Sequence, residues 1–311
     1  MNNLLKSKIK HLLQKKNIFE YKLLIDQIVN GISYSSKKEF LANCAINSGK
    51  PGITDTKYCN NEIIVSLTTY GDKLYEVYLA IESIMQQTYK PNKIVLWISE
   101  ELKGLNLPVF LSNQVKRGLE IKYCKDIGSY KKLIPSLKEY PDASIITIDD
   151  DALYQYDLME NLINEHNKYP NLIVCGRMHL IKMLNKNKIA KYKNWKQSNN
   201  STDISPLVFP TGVGGVLYPP HCFNDEVFNE PVFFSICKYA DDIWFKAMSL
   251  LNNVSSKKIF THNKNGYDYY SNDFEDDFED RLVHINIDKG MNDIQFKAVF
   301  DKYNLYDKLK T

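Results

Sequence analysis

Between residues 62 and 175, runs of consecutive apolar residues alternate with apolar positions at helical spacing. Ile63–Leu67 is a run of the kind a strand shows when both faces are covered. Thr68-Thr-Tyr-Gly-Asp72 interrupts it as a turn, and Leu74, Val77, Tyr78, Ile81, Ile84 and Met85 then recur at the spacing of an amphipathic helix. Pro91 precedes a second strand, Lys93–Ser99, and a third, Glu120–Cys124, leads to Asp126. Tyr130–Tyr140 reads as a helix with Lys131 and Lys132 near its start and Pro135 in its first turns. Ile145-Ile-Thr-Ile148 is the next strand, ending abruptly in Asp149-Asp150-Asp151. This β-α-β-α-β alternation predicts an α/β fold, a doubly wound and mainly parallel sheet with helices on both faces.

Asp157-Leu-Met-Glu160 has the form of a capping box and starts a helix to about Tyr169. Pro170 ends it, Leu172–Cys175 resumes the sheet, and Arg177 and His179 lie just past that strand. Residues 182–205 read as a polar Lys- and Asn-rich loop with Tyr192 and Trp195 as anchors. In Phe209–Pro220, Gly212, Gly214 and Gly215 imply close backbone approach by a ligand or another strand. No GK[ST] follows, and Pro219-Pro220 exclude the helix a phosphate loop needs. Tyr239–Phe245 opens a helix whose apolar face is Ile243, Trp244, Ala247, Met248 and Leu251, with Asp241 and Asp242 in its first turn. His262 follows a short strand, residues 271–280 form an acidic loop, and Asn292–Tyr303 is a final helix capped by Asn292. Upstream, residues 1–16 carry five lysines and no acid on an amphipathic pattern, which fits equally a membrane-surface helix and one packed on the body. The polar stretch 33–61 reads as a linker, so the expected division is a helical extension, 1–61, and a main domain, 62–311. That domain has a nucleotide-binding half (62–151) and an acceptor half (152–311).

Composition narrows the function classes. A net charge of +3 with no basic, aromatic-interleaved stripe argues against nucleic acid. No run of 18 apolar residues exists, and six cysteines without CxxC spacing argue against a zinc site. The reading is a cytoplasmic protein, with residues 1–16 available for peripheral contact with the inner face of a membrane. In parallel sheets, ligands bind outside the carboxyl ends of the strands. Thr68–Asp72, Asp126 and Asp149–Asp151 therefore converge on one crevice. Taken alone, three adjacent carboxylates read as a charged turn; at a strand end, they read as a cation site. On an extended backbone, Asp149 and Asp151 face the same side, and paired hard oxygens suit Mg²⁺ or Mn²⁺.

Four segments in this order resemble the GT-A glycosyltransferases, specifically bacterial family-2-like enzymes of surface polysaccharide assembly, over about Ile63 to His262. Val65-Ser-Leu-Thr-Thr-Tyr70 looks like the first nucleotide-contacting strand end, and Asp149-Asp-Asp151 like the DxD motif. Gly212-Val-Gly-Gly-Val216 is similar to the glycine-rich segment beneath the donor sugar, and Ala240-Asp-Asp-Ile-Trp244 to the acidic pair that supplies the catalytic base. The first turn departs from the family's Pro-Thr-Tyr-Asn type, the pair is Asp-Asp rather than Glu-Asp, and a QxxRW motif is absent.

The resemblance implies inverting transfer of a single sugar from a nucleotide-sugar, a UDP-sugar being favoured, to a glycan or lipid-linked saccharide. Asp242 would be the base, and Gly214, Gly215, Asp241 and Trp244 would contact the sugars. Thr68, Thr69, Tyr70, Asp126, Lys131, Lys132, Asp149, Asp150 and Arg177 would hold the nucleotide. Asp151, Asp149 and His262 would bind Mn²⁺ or Mg²⁺. The loops at 182–205 and 264–280 are candidate lids. The alternatives are a nucleotidyltransferase acting on sugar phosphates and a non-catalytic carbohydrate-binding protein.

Overall fold

The computed structural model describes residues 21, 29, 31–185, 188–197, 200–261, 269–270, 286 and 290–310. A helix over residues 31–47 (α1) is followed by β1 (Ile63–Thr68), α2 (Val77–Met85), β2 (Lys93–Ser99), α3 (Val109–Val115), β3 (Leu119–Cys124), α4 (Ile134–Glu139) and β4 (Ser144–Thr147). Then come β5 (Leu153–Tyr154), α5 (Leu158–Lys168), β6 (Ile173–Cys175), β7 (Met178–Leu180), β8 (Met183–Asn185), β9 (Lys188–Ile189), β10 (Val208–Pro210) and β11 (Val216–Tyr218). The chain closes with α6 (Glu230–Ile236), α7 (Asp241–Leu251), β12 (Ser256–Lys258), β13 (Tyr269–Tyr270) and α8 (Met291–Tyr303).

Seven strands form the central sheet in the order β12-β6-β11-β4-β1-β2-β3. Neighbours pair in parallel except β11, which runs antiparallel to both β4 and β6. The fold is thus α/β with a mainly parallel sheet, as the alternating pattern predicts. Side chains change face along each strand, and the core divides accordingly. Ile145 of β4, Ile173 and Cys175 of β6, and Val216 and Tyr218 of β11 join the cluster of α6, α7 and α8 with Phe233, Trp244 and Phe300. Ile146, Val174 and Leu217 join Ile63, Val65 and Leu67 against α2 and α5, with Ile81 and Leu162. In a sheet covered on both faces, the polar residues of β1 are only Ser66, whose hydroxyl bonds Lys132 O at 2.6 Å, and Thr68 at its end.

Several local expectations change. The 33–61 stretch is not a free linker. Leu41 packs α1 on Leu79 and Leu153, and Gly52 N donates to Arg117 O at 2.8 Å. Arg117 also grips Glu82 through both terminal nitrogens, at 2.8 and 2.9 Å. Asp157 makes no side-chain cap to α5, and α8 starts from Gly290 in the left-handed region, with Asn292 buried as its second residue rather than its cap. The Tyr130–Tyr140 helix splits into a 3-10 turn, Gly128–Lys132, and a short α4 with Pro135 in its first turn, where a missing N–H costs nothing. Among the described residues, no helix is long and apolar enough to cross a membrane. Residues 1–16 lie outside the described residues.

Candidate active site

β1 and β4 are sheet neighbours with Ser66 beside Thr147, so both chains leave the sheet at the same edge. β4 ends at Thr147 and the backbone turns at Asp150 and Asp151, so the strand's alternation stops before the acids. Asp149 and Asp151 accordingly do not pair. Asp149 turns to Lys132, whose Nζ lies 2.9 Å from its Oδ1, while Asp150 and Asp151 share Lys73 at 3.5 and 2.8 Å. Thr69 donates to Asp150 Oδ2 at 2.7 Å. The Tyr70 ring stands exposed beside Lys73, whose Nζ is 5.7 Å from its centroid. Thr68 is directed elsewhere, bonding Trp97 O within the sheet at 2.8 Å.

Lys132 is the centre of the second half. A buried chain of polar contacts fixes its turn: Ser66 Oγ meets Lys132 O and Ser136 Oγ, and Trp97 Nε1 donates to Ser136 at 2.7 Å. From there Nζ reaches both Asp149 and Asp241, the latter at 3.1 Å. Ser129 donates to the other oxygen of Asp241 at 2.9 Å, so the first acid of α7 is committed to that turn. Asp242, the second, accepts the Gly212 N–H on both oxygens at 3.1 and 3.2 Å. A Cβ on Gly212 would stand 2.6 Å from Lys132 Nζ and 3.3 Å from both Asp149 Oδ1 and Asp242 Oδ1. Only glycine lets these groups close around one point.

The electrostatics follow from this crowding: Asp149, Asp150, Asp151, Asp241 and Asp242 surround two ammonium groups, Lys73 and Lys132. Burial opposes the charge on Lys132, but Asp149, Asp241 and Asp242 outweigh it and hold the ammonium well above the ordinary lysine range. Burial pushes Asp149 up against the pull of Lys132. Burial and the charge of Asp241 push Asp242 up to about 7. The acids therefore retain unmet demand for positive charge.

Whether a divalent cation fits can be judged from that demand. Among the described residues, no three His, Cys, Asp or Glu side chains form a ready-made cage. Mg²⁺-type ions in nucleotide sites do not require one, taking one or two carboxylates and filling the rest with phosphate and water. Asp151, whose side chain is 52% exposed, and the neighbouring Asp149 and Asp150 supply such oxygens. His262 lies outside the described residues.

The remaining expected residues divide. Lys131 and Asp126 bond each other, and Asp126 also takes the Gly128 N–H at 3.0 Å, which holds the 3-10 turn together. Arg177 sits beside the glycine turn, not the nucleotide half: its Nη1 donates to Thr211 at 2.8 Å. Trp244 is a correction. It is fully buried, bonds Val227 O at 3.1 Å and packs on Phe233 and Tyr303, so it touches no sugar. Gly214 and Gly215 are buried too. A Cβ on Gly214 would collide with Arg177 Cβ at 2.3 Å, while Gly215 has φ +78° and faces Leu158, so both serve protein packing. Of the candidate lids, 182–205 is largely laid on the body, with Trp195 buried; 264–280 lies outside the described residues except Tyr269 and Tyr270, which form β13 against β5. The close approach expected at the glycine turn is found at Gly212, whereas sequence reasoning missed Lys73, Ser129 and Tyr154. Tyr154 OH accepts the Asp149 N–H at 2.9 Å and donates to Val213 O at 3.1 Å, tying the acid turn to the glycine turn.

No protein-family model and no curated protein matches this chain. Among solved structures, the inositol-1-phosphate CTP transferase from T. maritima is similar over 78% of this chain and 96% of its own, at 13% identity and a TM-score of 0.43.

Proposed function

We propose that this crevice is that of a GT-A-type glycosyltransferase, which binds a nucleotide-sugar with Mn²⁺ or Mg²⁺ and moves the sugar to an acceptor hydroxyl. The observation that carries the reading is Asp242: a carboxylate held by the Gly212 N–H, with its proton affinity raised to about 7, beside the Lys132–Asp149 pair. A hydroxyl nucleophile must lose a proton as it attacks, and a base is most effective with a pKa near the working pH. The bond from acceptor oxygen to sugar C1 forms as the bond from C1 to the diphosphate oxygen breaks. The proton passes to Asp242, and the nucleoside diphosphate departs. Lys132 stabilises the negative charge gathering on that leaving group. A divalent ion on Asp151 and Asp149 would supply Lewis acidity to the same diphosphate. The exposed Tyr70 ring offers a stacking face for the nucleobase. A UDP-sugar is the favoured donor and a saccharide the acceptor.

A second reading, nucleotidyl transfer onto a sugar phosphate, is favoured by Lys73. This lysine leaves the turn directly after β1 and reaches Asp150 and Asp151, where it can meet a triphosphate. Its nucleophile, a phosphate, is already an anion and needs no base, which leaves Asp242 without a role. The full chain with UDP-, GDP-, CMP- and dTDP-sugars plus Mn²⁺ is expected to release nucleoside diphosphate, and EDTA to stop it. Pyrophosphate release from a nucleoside triphosphate and a sugar 1-phosphate would instead establish the second reading. Neither product would leave a non-catalytic carbohydrate binder. Under the first reading, Asp242→Asn lowers turnover by about 10²–10⁴-fold and leaves Mn²⁺-dependent UDP binding intact. Turnover near the wild-type rate in that variant removes Asp242 as the base.

A further inference from the structure

The segment from Arg177 to Thr202 contains Arg177, Lys182, Lys186, Lys188, Lys191, Lys193 and Lys196 and no acid. With a net charge of +3 for the chain and +7 here, the rest of the molecule carries −4. Lys182, Lys188, Lys191, Lys193 and Lys196 are all exposed. Among the described residues, none of these five forms an ion pair, whereas Lys73, Lys122, Lys125, Lys131, Lys132, Lys168, Lys257, Lys297 and Lys310 all do. No acid within the segment offsets these charges, and Asp293 beside them accepts the Tyr192 N–H at 2.7 Å.

Its place in the fold gives the group a direction. β7 pairs with β10 through Met178–Pro210, His179–Phe209 and Leu180–Val208, and the next two residues after β10 are Thr211 and Gly212, which hold Arg177 and Asp242. On its other side, Leu180 takes Lys196 as a partner, its N–H donating to Lys196 O at 2.7 Å. Strands rise about 3.3 Å per residue, so Lys196 joins the ribbon about 10 Å from Arg177. Tyr192 wedges among His179, Trp195 and Phe209, with ring centroids at 4.8, 4.9 and 6.0 Å, which fixes Lys191 and Lys193 on either side of it. The charges thus follow a ribbon that leads away from Arg177 and from the Thr211–Gly212 turn, which holds Asp242.

We propose that this strip binds an anionic polysaccharide strand, so that the acceptor delivered to Asp242 is a polyanionic glycan bearing carboxylate or phosphate groups along its length. The identification of the bound glycan as the acceptor rests on the glycosyltransferase reading; the binding itself does not. An extended row of solvated ammonium groups matches charges repeated along a chain, whereas a single phosphate would need one convergent pocket. Exposed charges of this kind contribute through long-range attraction that salt screens.

The test reads binding and not turnover, which keeps its failure separate from failure of the enzymatic reading. Fluorescently labelled oligogalacturonate and neutral dextran of equal length are titrated with the full chain. A second protein carries Lys188→Gln, Lys191→Gln, Lys193→Gln and Lys196→Gln. The wild type is expected to bind the oligogalacturonate and not the dextran, with affinity falling on the order of tenfold from low to physiological salt. The quadruple variant is expected to lose at least that factor with its melting temperature and Mn²⁺–UDP binding unchanged. Equal binding of dextran, or unchanged affinity in the variant, overturns the proposal. So does tighter lysine-dependent binding to phosphatidylglycerol vesicles than to the oligosaccharide, which would make the strip a membrane surface.

Discussion

Gly212 holds the charged groups of the crevice at their closest spacing, and the cost of changing it is specific. In Gly212→Ala the new methyl meets Lys132 Nζ, the far end of a flexible side chain, while the Asp242 and Asp149 oxygens stand at 3.3 Å. Gly212 is buried and the lysine must give way beside its carboxylate partners, so stability is expected to fall by about 1–3 kcal/mol. Under the proposed glycosyltransferase reading, moving the ammonium off the Asp149–Asp241 pair removes the charge that would face the diphosphate, and turnover is expected to fall on the order of 10²-fold. A melting curve and an initial-rate assay separate the two effects; an unchanged melting temperature would contradict the first half. Lys246, one turn beyond Asp242 on α7, poses the opposite case. Its Nζ has no hydrogen-bond partner among the described residues, and burial lowers its pKa from 10.5 to about 7. Below that value the lysine is charged in both folded and unfolded chains, and the burial cost is fully present. Between there and 10.5 the unfolded chain binds the extra proton, so stability rises with pH. Lys246→Met should therefore raise the melting temperature most at about pH 6, and the gain should shrink towards about pH 10. A gain independent of pH would mean the amine is not the source of the cost.

At the level of elements, β1, β2 and α2 are legible because long apolar runs and an unbroken helical repeat leave one periodicity to choose. Lys93–Ser99 is the same span by pattern and by structure. α3 is not legible: it buries only Leu111 and Gln114 of Val109–Val115, too few positions to set a period. The 33–61 stretch also misleads, because its polar composition hides what holds it. Arg117 donates to Lys50 O at 2.8 Å and accepts from Gly52, while its guanidinium closes on Glu82, whose side chain is 0% exposed. That arrangement couples distant parts of the chain, which no local window displays. Arg117→Met leaves a carboxylate buried without its partner and is expected to cost about 3–5 kcal/mol in urea unfolding. Replacing both residues by apolar ones should recover much of that loss. If Arg117→Met alone were neutral, the pair would not be what fastens the lead-in to α2.

For the molecule as a whole, the α/β class was readable from the alternation of strands and helices, but the antiparallel β11 in the middle of the sheet was not. Its residues Val216–Tyr218 follow a glycine turn whose direction depends on Gly215 at φ +78° and on packing against Leu158, both set by tertiary structure. The reversal brings Gly212 from one half of the chain over the Asp149–Asp151 turn of the other, so the crevice is assembled across the fold. An assembly of five carboxylates around two ammonium groups is crowded with negative charge, which protonation or a bound cation would relieve. A ligand that binds only the folded chain stabilises it by about 2.7 kcal/mol at 100 times its dissociation constant. In a chain of this length, that corresponds to roughly four degrees in melting temperature. Mn²⁺ with UDP is expected to produce such a shift in the wild type and in Asp242→Asn, and EDTA to abolish it. Under the proposed reading Asp151→Ala should lose it, since that half-exposed carboxylate is the one that would meet a metal–diphosphate. An equal shift with UDP in EDTA would place nucleotide recognition on Lys73 and Lys132 alone and remove the divalent ion from the site.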